Sequence, residues 1–257
     1  MEKAYSRKNQ VSYAYRPPRD KSIKIWRYMS FTKYVSILQS RSLFFSRADL
    51  FGDPYEGAYT KQNLLNRKVN FKEIWIPDYA LERFSVNMKW QREYVYINCW
   101  HMNENESAAM WQLYGQTNEA IAIQSTYSLL NESLPDNIRI GIVDYIDYSA
   151  EETPIRADDS LHRFMHKRLS FAHERELRAI FKDELPKDSE NETGLAIGQP
   201  NPLTGKLVPV DLEKLIEIVY VSPTSPSWLR PLVSDVNEKY GHSFPIHQSS
   251  LNESPLF

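Results

Sequence analysis

Residues 26–57 read WRYMSFTKYVSILQSRSLFFSRADLFGDPYEG, and the fold prediction starts from this stretch. The segment around it that begins at Ile23, IKIWRY, is rich in residues that favour a β-strand. Thr32 can cap a following helix, in which the apolar side chains at 34–38 recur at helical spacing. The run SLFFS at 42–46 then has the pattern of a second short strand. The stretch therefore predicts a strand, a helix and a second strand.

A short acidic loop follows, with the sequence DPYEG at 53–57. Pro54 restricts the backbone to a turn, and Gly57 frees it afterwards. Asp53 and Glu56 are therefore expected to lie close together in an aromatic-rich corner. The alternative is an ordinary surface turn that Asp53 caps.

The composition is that of a globular protein. The chain has 257 residues, of which 42% are hydrophobic and 25% are charged, so it can form one large domain or two small ones. Its single cysteine, Cys99, excludes an internal disulfide and a multi-cysteine metal site. No apolar run approaches the roughly 20 residues of a membrane helix, and no secretory signal is apparent. The sequence predicts a cytoplasmic protein with no membrane partner.

The net charge is only −2, but the charge is unevenly distributed. Residues 1–27 hold eight Lys and Arg side chains against two acidic ones, with tyrosines between them. Such a segment either binds nucleic acid or is a solvated tail. We expect a basic N-terminal arm at 1–22, one domain at 23–248 with a helical insertion at about 58–92, and a C-terminal tail at 249–257.

The rest of the chain mixes strands and helices without strict β-α-β alternation. This pattern favours an α+β fold with a mixed or antiparallel sheet, flanked by helices. Further strands are predicted at 94–100, 119–124, 139–148, 174–181, 215–221 and 242–247, and further helices at 107–114, 126–133, 151–171 and 226–240, the last capped by Ser225.

A charged segment, HERELR at 173–178, stands out among the predicted strands. In a strand, Glu174, Glu176 and Arg178 would share one face. That face is too polar for an apolar core, so it points to water or to a polar cleft. For a generic strand, exposure with Arg178 paired to glutamate is expected.

Six motifs in this order resemble a bacterial family of unknown function, DUF2971. They are SILQS at 36–40, LFFS at 43–46, GDPYEG at 52–57, CW at 99–100, MWQLY at 110–114 and HERELR at 173–178. The resemblance extends from about residue 23 to 257. It implies a connection with mobile elements and anti-phage defence.

The order of these blocks is also similar, more distantly, to ADP-ribosyltransferase-type toxins and RNA 2′-phosphotransferases. This second resemblance implies a split sheet and NAD as the substrate, with no metal required. It implies an effector or toxin that modifies a nucleic acid or a protein, and an antitoxin or other partner protein is conceivable.

Carried onto this chain, the resemblance assigns roles to particular residues. Arg27 would bind the pyrophosphate, a task suited to a bidentate guanidinium, and Tyr28 or Tyr55 would stack on nicotinamide. Glu176 would hold the ribose and stabilise an oxocarbenium-like transition state. The full expected set has Glu176, Tyr28 and Glu174 as catalytic residues and Arg27, Asp53, Tyr55, Glu56, Trp111, Tyr114 and Arg178 as NAD-binding residues.

Other chemistries stay open at this point. Cys99 and His101 would share a strand face and could form a thiolate–imidazole pair, although a lone cysteine is more often a core residue. His162 and His166, four residues apart, could bind zinc with neighbours at 173–174. Asp53, Glu56 and the two later glutamates could hold Mg²⁺ in a nuclease. A module that only binds nucleotide or nucleic acid is the non-enzymatic alternative.

Overall fold

A computed structural model describes residues 15–73, 78–115, 118–150, 155–156, 158–186, 200–253 and 255. Eleven strands and seven α-helices occur in these ranges, besides short 3-10 turns. The strands are β1 Lys24–Ser30, β2 Ser42–Arg47, β3 Val95–Met102, β4 Ala120–Thr126, β5 Arg139–Ile142, β6 Asp144–Ile146, β7 His166–Arg168, β8 Glu176–Lys182, β9 Gly205–Pro209, β10 Ile218–Val221 and β11 Ile246–Gln248. The helices are α1 Phe31–Ser40, α2 Lys61–Glu73, α3 Asp78–Trp90, α4 Ala108–Tyr114, α5 Tyr127–Ser133, α6 Leu212–Leu215 and α7 Leu229–Lys239.

Nine of these strands form one sheet. Its order is β11-β10-β4-β1-β3-β2-β9, and β8 pairs with both β3 and β5. All pairs are antiparallel except β10 with β11, while β6 and β7 form a separate parallel pair. The predicted α+β fold with a mixed, mainly antiparallel sheet is confirmed.

The sheet is split next to β3. One edge of β3 pairs with β8 along seven residues, so β1 and β2 share the opposite edge. Trp26 of β1 pairs with His101 near the end of β3, whereas Ser46 of β2 pairs with Ile97 near its beginning. Between these two contacts β1 and β2 diverge and leave a gap in the ladder.

Side chains replace the missing backbone hydrogen bonds in this gap. The carbonyl oxygen of Phe44 accepts a hydrogen bond of 2.9 Å from Asn98 Nδ2 and one of 3.3 Å from an Arg27 guanidinium nitrogen. A buried carbonyl without a partner would be costly, so these two donors stabilise the split.

Helix α1 closes the strand–helix–strand unit that the opening stretch predicts. Tyr34, Ile37 and Leu38 are its buried residues and pack into the main hydrophobic core. The expected cap at Thr32 was wrong by two positions, because Ser30 Oγ accepts from the Lys33 backbone nitrogen and caps the helix.

The helix predicted over 151–171 is not observed, although residues 151–154 and 157 lie outside the described part of the chain. A 3-10 turn at His162–Met165, strand β7 and a second 3-10 turn at Leu169–Glu174 occupy most of this range. The pairing of His166 with Asp144 between β7 and β6 overrides the local helical tendency.

Several predicted boundaries also shift. The predicted strand at 139–148 is divided into β5 and β6, and the one at 215–221 is shortened because α6 precedes β10. Helix α7 begins after Trp228 without a side-chain cap, so the predicted cap at Ser225 was wrong.

The predicted helical insertion consists of α2 and α3, with residues 74–77 outside the described ranges. Of the predicted N-terminal arm, residues 1–14 are also outside them, while Tyr15 is buried and its hydroxyl donates to Asp159 at 2.7 Å. At the predicted tail, the Ser250 backbone nitrogen donates to Glu106 at 2.9 Å. No helix in the described residues is long and apolar enough to cross a membrane.

Candidate active site

A cleft of about 730 Å³ opens at the split in the sheet. Strands β1, β3 and β8, helix α1 and the acidic loop at 51–56 contribute to its walls. The volume falls within the usual range for small-molecule and cofactor sites. The cleft has a basic side on β1 and an acidic side around the start of β8.

Arg27 is the central residue of the basic side. Its guanidinium lies over the Trp100 ring, with Cζ 6.0 Å from the ring centroid, and donates to the carbonyl of Phe44. Its other terminal nitrogen is buried without a hydrogen-bond partner, and no carboxylate of the described residues lies within ion-pair distance. Burial lowers the pKa of Arg27 to about 10, so the side chain stays cationic at neutral pH. A cationic side chain without a carboxylate partner among the described residues therefore lines this side.

Glu176 lies on the acidic side, and the strand register fixes its position. Trp26 pairs with His101 and His101 with Glu176, so β1, β3 and β8 are aligned at this level. Two strand spacings of about 4.8 Å separate Glu176 from β1 at the backbone, which is roughly 10 Å.

Arg178 supports Glu176 from behind. Its guanidinium makes a bidentate ion pair with Glu56, at 2.6 and 2.9 Å, and its Nε donates to Glu176 at 2.8 Å. It also donates to the carbonyl of Phe164 at 2.5 Å. Arg178 is completely inaccessible to solvent and Glu176 is 5% exposed. Of the two alternatives for this face, water or a polar cleft, exposure to water was therefore wrong.

The side chain of Glu174 shares the Lys167 ammonium group with Glu176, although Glu174 lies before strand β8 and not in it. Glu174 ends a 3-10 turn, and the left-handed residue Arg175, with φ of 42°, separates it from β8. Lys167 forms an ion pair with Glu174 and lies 3.4 Å from Glu176 Oε1. The lysine therefore bridges the two glutamates, which the simple strand alternation did not predict.

The two glutamates differ in pKa. Burial alone would raise the pKa of Glu176, but the charges of Arg178 and Lys167 outweigh it and lower the pKa below the ordinary value of 4.5. Burial and the neighbouring Glu176 charge raise the pKa of Glu174. Such a divergence between adjacent carboxyl groups is typical of acid–base sites.

Asp53 and Gly57 fix the acidic loop. Asp53 accepts from the Tyr55 backbone nitrogen at 3.0 Å and pairs with Arg168 at 2.8 Å. Gly57 has φ of +68°, and a Cβ there would lie 2.2 Å from the Phe164 ring. Only glycine fits this turn, which follows directly after Glu56.

The aromatic residues divide into two groups. Tyr28 and Tyr114 line the cleft, and the Tyr28 hydroxyl accepts from the Ser107 backbone nitrogen at 2.8 Å. Trp111 lies behind Tyr28, with ring centroids 4.9 Å apart, and its indole nitrogen donates to Glu106. Tyr55 contacts Tyr148 and Arg168 instead.

The structure thus brings seven of the ten expected site residues to the cleft walls. These are Arg27, Tyr28, Asp53, Glu56, Tyr114, Glu174 and Glu176. The side chains of Tyr55, Trp111 and Arg178 lie outside the lining, the last two packed directly behind lining residues.

Sequence reasoning missed Lys167 as a site residue and considered His101 only as a partner for Cys99. His101 Nδ1 lies 2.6 Å from the Glu174 carbonyl, and its Nε2 is buried without a partner. Burial lowers the pKa of His101, so the ring is neutral near pH 7. No local pattern marks Lys167, because its partners come from other segments.

Two of the alternative sites lose support from this geometry. Burial raises the pKa of the Cys99 thiol far above neutrality, which disfavours a thiolate nucleophile. The rings of His162 and His166 are 4.7 Å apart, but no group of three or more His, Cys, Asp and Glu residues suited to a metal occurs among the described residues.

Fold and cleft together define an α+β domain with a split, mainly antiparallel sheet and a polarised cleft of cofactor size. No protein-family model and no curated protein matches the chain, so membership of DUF2971 stays a prediction.

Two solved structures are similar over most of the chain. One is Thermus sp. 2.9 DarT in complex with carba-NAD+, with a TM-score of 0.40, 9% identity and coverage of 90% of this chain and 96% of that one. The other is the same protein in complex with ADP-ribosylated ssDNA, with a TM-score of 0.41, 9% identity and coverage of 92% and 98%. Similarity at this level carries no argument about function, which has to rest on the geometry of the cleft.

Proposed function

We propose that this protein is an NAD-dependent, ADP-ribosyltransferase-like enzyme that transfers a glycosyl group from NAD in the cleft at the split sheet. One observation carries the proposal. An arginine without a counter-ion among the described residues and a carboxylate held in its ionised form face the same cleft from opposite sides, roughly 10 Å apart at the backbone.

Arg27 supplies the anchor for the pyrophosphate. A planar guanidinium matches phosphate oxygens, and among the described residues no carboxylate neutralises the charge of this cleft-lining arginine. Tyr28 and Tyr114 offer aromatic surface for the nicotinamide in the same cleft.

Glu176 acts on the ribose. As the glycosidic bond to nicotinamide breaks, its electron pair goes to the ring nitrogen, nicotinamide leaves as a neutral molecule, and positive charge develops at the ribose. A fixed carboxylate stabilises that charge more strongly than it stabilises the substrate. Arg178 and Lys167 keep Glu176 ionised and oriented in the absence of substrate.

Glu174 is the better proton acceptor of the two glutamates because its pKa is raised. In the transfer step an oxygen or nitrogen of the acceptor attacks the ribose carbon and loses its proton. Glu174 takes that proton, and Lys167 stabilises the two carboxyl groups next to each other.

The acceptor is a nucleic acid or a protein, and the biological role that we propose is that of a cytoplasmic toxin or defence effector with a partner protein that restrains it. These finer assignments come from the sequence resemblances. The nuclease alternative is disfavoured because the described residues contain no group of three or more His, Cys, Asp and Glu side chains suited to a metal ion.

The test is NAD turnover by the purified protein, with nicotinamide release followed by mass spectrometry and with single-stranded DNA, RNA and protein offered as acceptors. Glu176→Gln should lower kcat by about 10²–10³-fold, the usual range for a lost electrostatic stabiliser of the transition state. Glu217→Gln is the matched control, because Glu217 pairs with Lys24 outside the cleft.

Arg27→Gln separates binding from chemistry. It should raise KM for NAD more than it lowers kcat, whereas Glu176→Gln should act mainly on kcat. Nicotinamide release at equal rates by wild type and Glu176→Gln, or no release with any acceptor, would reject the proposal. A protein that binds NAD tightly without turnover would be the binding module.

A further inference from the structure

A second group of basic side chains lies away from the cleft, where the helical insertion meets the end of β8. Its members come from four separate elements: Arg67 from α2, Arg92 from the 3-10 turn Gln91–Tyr94, Arg163 from the 3-10 turn His162–Met165, and Lys182 from the end of β8. We refer to these four residues as the basic cluster.

Contacts around Tyr59 and α3 bring the cluster together. The guanidinium carbons of Arg67 and Arg163 lie 5.5 and 5.8 Å from the centre of the same Tyr59 ring. Arg163 also donates to the carbonyl of Met88 in α3 at 3.1 Å.

The remaining members adjoin this pair. Lys182 Nζ donates to Gln91 Oε1 at 3.1 Å, next to Arg92 in the chain. Arg92 lies close enough to Arg163 for its charge to disfavour the cationic form of Arg163.

No acid of the described residues neutralises the cluster. Across the described residues, no carboxylate lies within 4.0 Å of any of the four cationic groups. The Nε atoms of Arg92 and Arg163 are buried and have no hydrogen-bond partner, and Arg163 is only 3% exposed. Unsatisfied charged donors of this kind are costly in a folded protein.

Aromatic rings position the guanidinium groups without satisfying their N–H groups. Arg67 lies 4.5 Å from the centre of Phe84, and Arg163 lies 4.7 Å from the centre of Phe164. Burial lowers the pKa of Arg163 to about 10; Tyr59 opposes this effect, and the charges of Arg92 and Arg67 add to it. Arg163 therefore stays positive at neutral pH, and the repulsion within the cluster persists.

We propose that the basic cluster is a binding site for a phosphate group. Guanidinium forks match the spacing of phosphate oxygens, and a doubly charged anion next to the half-buried Arg67 and Lys182 would offset the repulsion among the four cations. The site uses none of the cleft residues, so it extends beyond the proposed transferase function. The phosphate belongs to a free phosphate compound or to a nucleic-acid backbone.

The experiment uses the full chain carrying Arg27→Gln, which removes the proposed pyrophosphate anchor in the cleft. Inorganic pyrophosphate is titrated into this protein by calorimetry at low ionic strength. Adding Arg67→Gln and Lys182→Gln should weaken binding by about tenfold or more, because two charged donors are lost. These two residues are half-buried, so their replacement spares the buried Arg163.

Arg230→Gln on the same background is the matched control, since Arg230 is an exposed arginine on α7. It should leave pyrophosphate binding unchanged. Equal affinity with and without the two cluster substitutions, or no binding to the Arg27→Gln protein, would overturn the proposal. That result would leave the transferase proposal intact, because NAD turnover is measured on the wild-type cleft.

A single-stranded oligonucleotide distinguishes the two sources of phosphate. If it competes with pyrophosphate, and the two substitutions lower its salt slope by about one to two, the ligand is a nucleic-acid backbone. If only pyrophosphate binds, the ligand is a free phosphate compound. Either result supports the site.

Discussion

Arg178 and Arg163 are both almost completely buried, but of the two only Arg178 has carboxylate partners among the described residues. Arg178 makes ion pairs with Glu56 and Glu176 and a hydrogen bond to a carbonyl oxygen. Arg163 has one carbonyl partner, two aromatic neighbours and no carboxylate among the described residues. A buried charge with internal counter-ions is part of the folded framework. A buried charge without them is the one that the proposed phosphate would compensate.

The largest decrease in the free energy of unfolding is expected for Arg178→Met. This substitution leaves the Glu56 and Glu176 carboxylates buried without their shared partner, which typically costs 3–5 kcal/mol. The free energy of unfolding from urea titrations at pH 7 measures the loss.

Arg16→Met is the matched control, because Arg16 makes a solvent-exposed ion pair with Asp144. Such pairs contribute about 0–1 kcal/mol. A cost for Arg178→Met as small as that of the control would mean that the buried network does not stabilise the fold.

A smaller, pH-dependent effect is expected for Glu176→Gln. The pKa of Glu176 is lowered in the folded protein by Arg178 and Lys167 against the effect of burial. As the pH falls, the unfolded chain is therefore protonated first at this position. The stabilisation is present above the ordinary value of 4.5 and is lost as the pH falls toward the lowered pKa.

The measurement compares the unfolding free energies of wild type and Glu176→Gln between pH 7 and pH 3. The difference should narrow below pH 4.5, by about 1.4 kcal/mol for each unit by which the pKa is lowered. It should persist in high salt, since buried pairs are weakly screened. A difference that stays constant over this pH range would contradict the ion-pair assignment.

The smallest change in the free energy of unfolding is expected for Arg163→Met. The lost contacts with Tyr59 and Phe164 are offset by removal of an uncompensated charge, so the free energy of unfolding should change by less than about 1 kcal/mol. Urea titrations under the same conditions as for Arg178→Met give a direct comparison of two buried arginines.

The same unfolding free energies can be measured with and without added phosphate. Phosphate should stabilise the wild type by mass action and should have little effect on Arg163→Met. If Arg163→Met lowers the free energy of unfolding as much as Arg178→Met does, the charge of Arg163 is already compensated within the folded protein.

The sequence predicted the local units of the fold well. The unit β1-α1-β2 formed where the apolar spacing placed it, and the cap moved only from Thr32 to Ser30. These predictions succeeded because strand propensity and helical periodicity act over a few residues.

The long-range features could not be predicted in this way. The helix expected over 151–171 was replaced because β7 pairs with β6, a partner outside the local pattern. Strand alternation left water and a polar cleft open for the glutamate face, because Glu56 and Lys167, which form its ion pairs, lie in other segments of the chain. Lys167 has no signal in the sequence, since its role comes only from the folded arrangement.

The split sheet also has a consequence for how the protein folds. β1 and β2 are not paired where the cleft opens, so their relative position is set through β3, which pairs with β1, β2 and β8. Each of those partners is distant from β3 in sequence, and non-local pairing slows folding because chain entropy is lost before the contacts form. We therefore expect the cleft to form late and cooperatively, with β3 as the strand on which its two sides assemble.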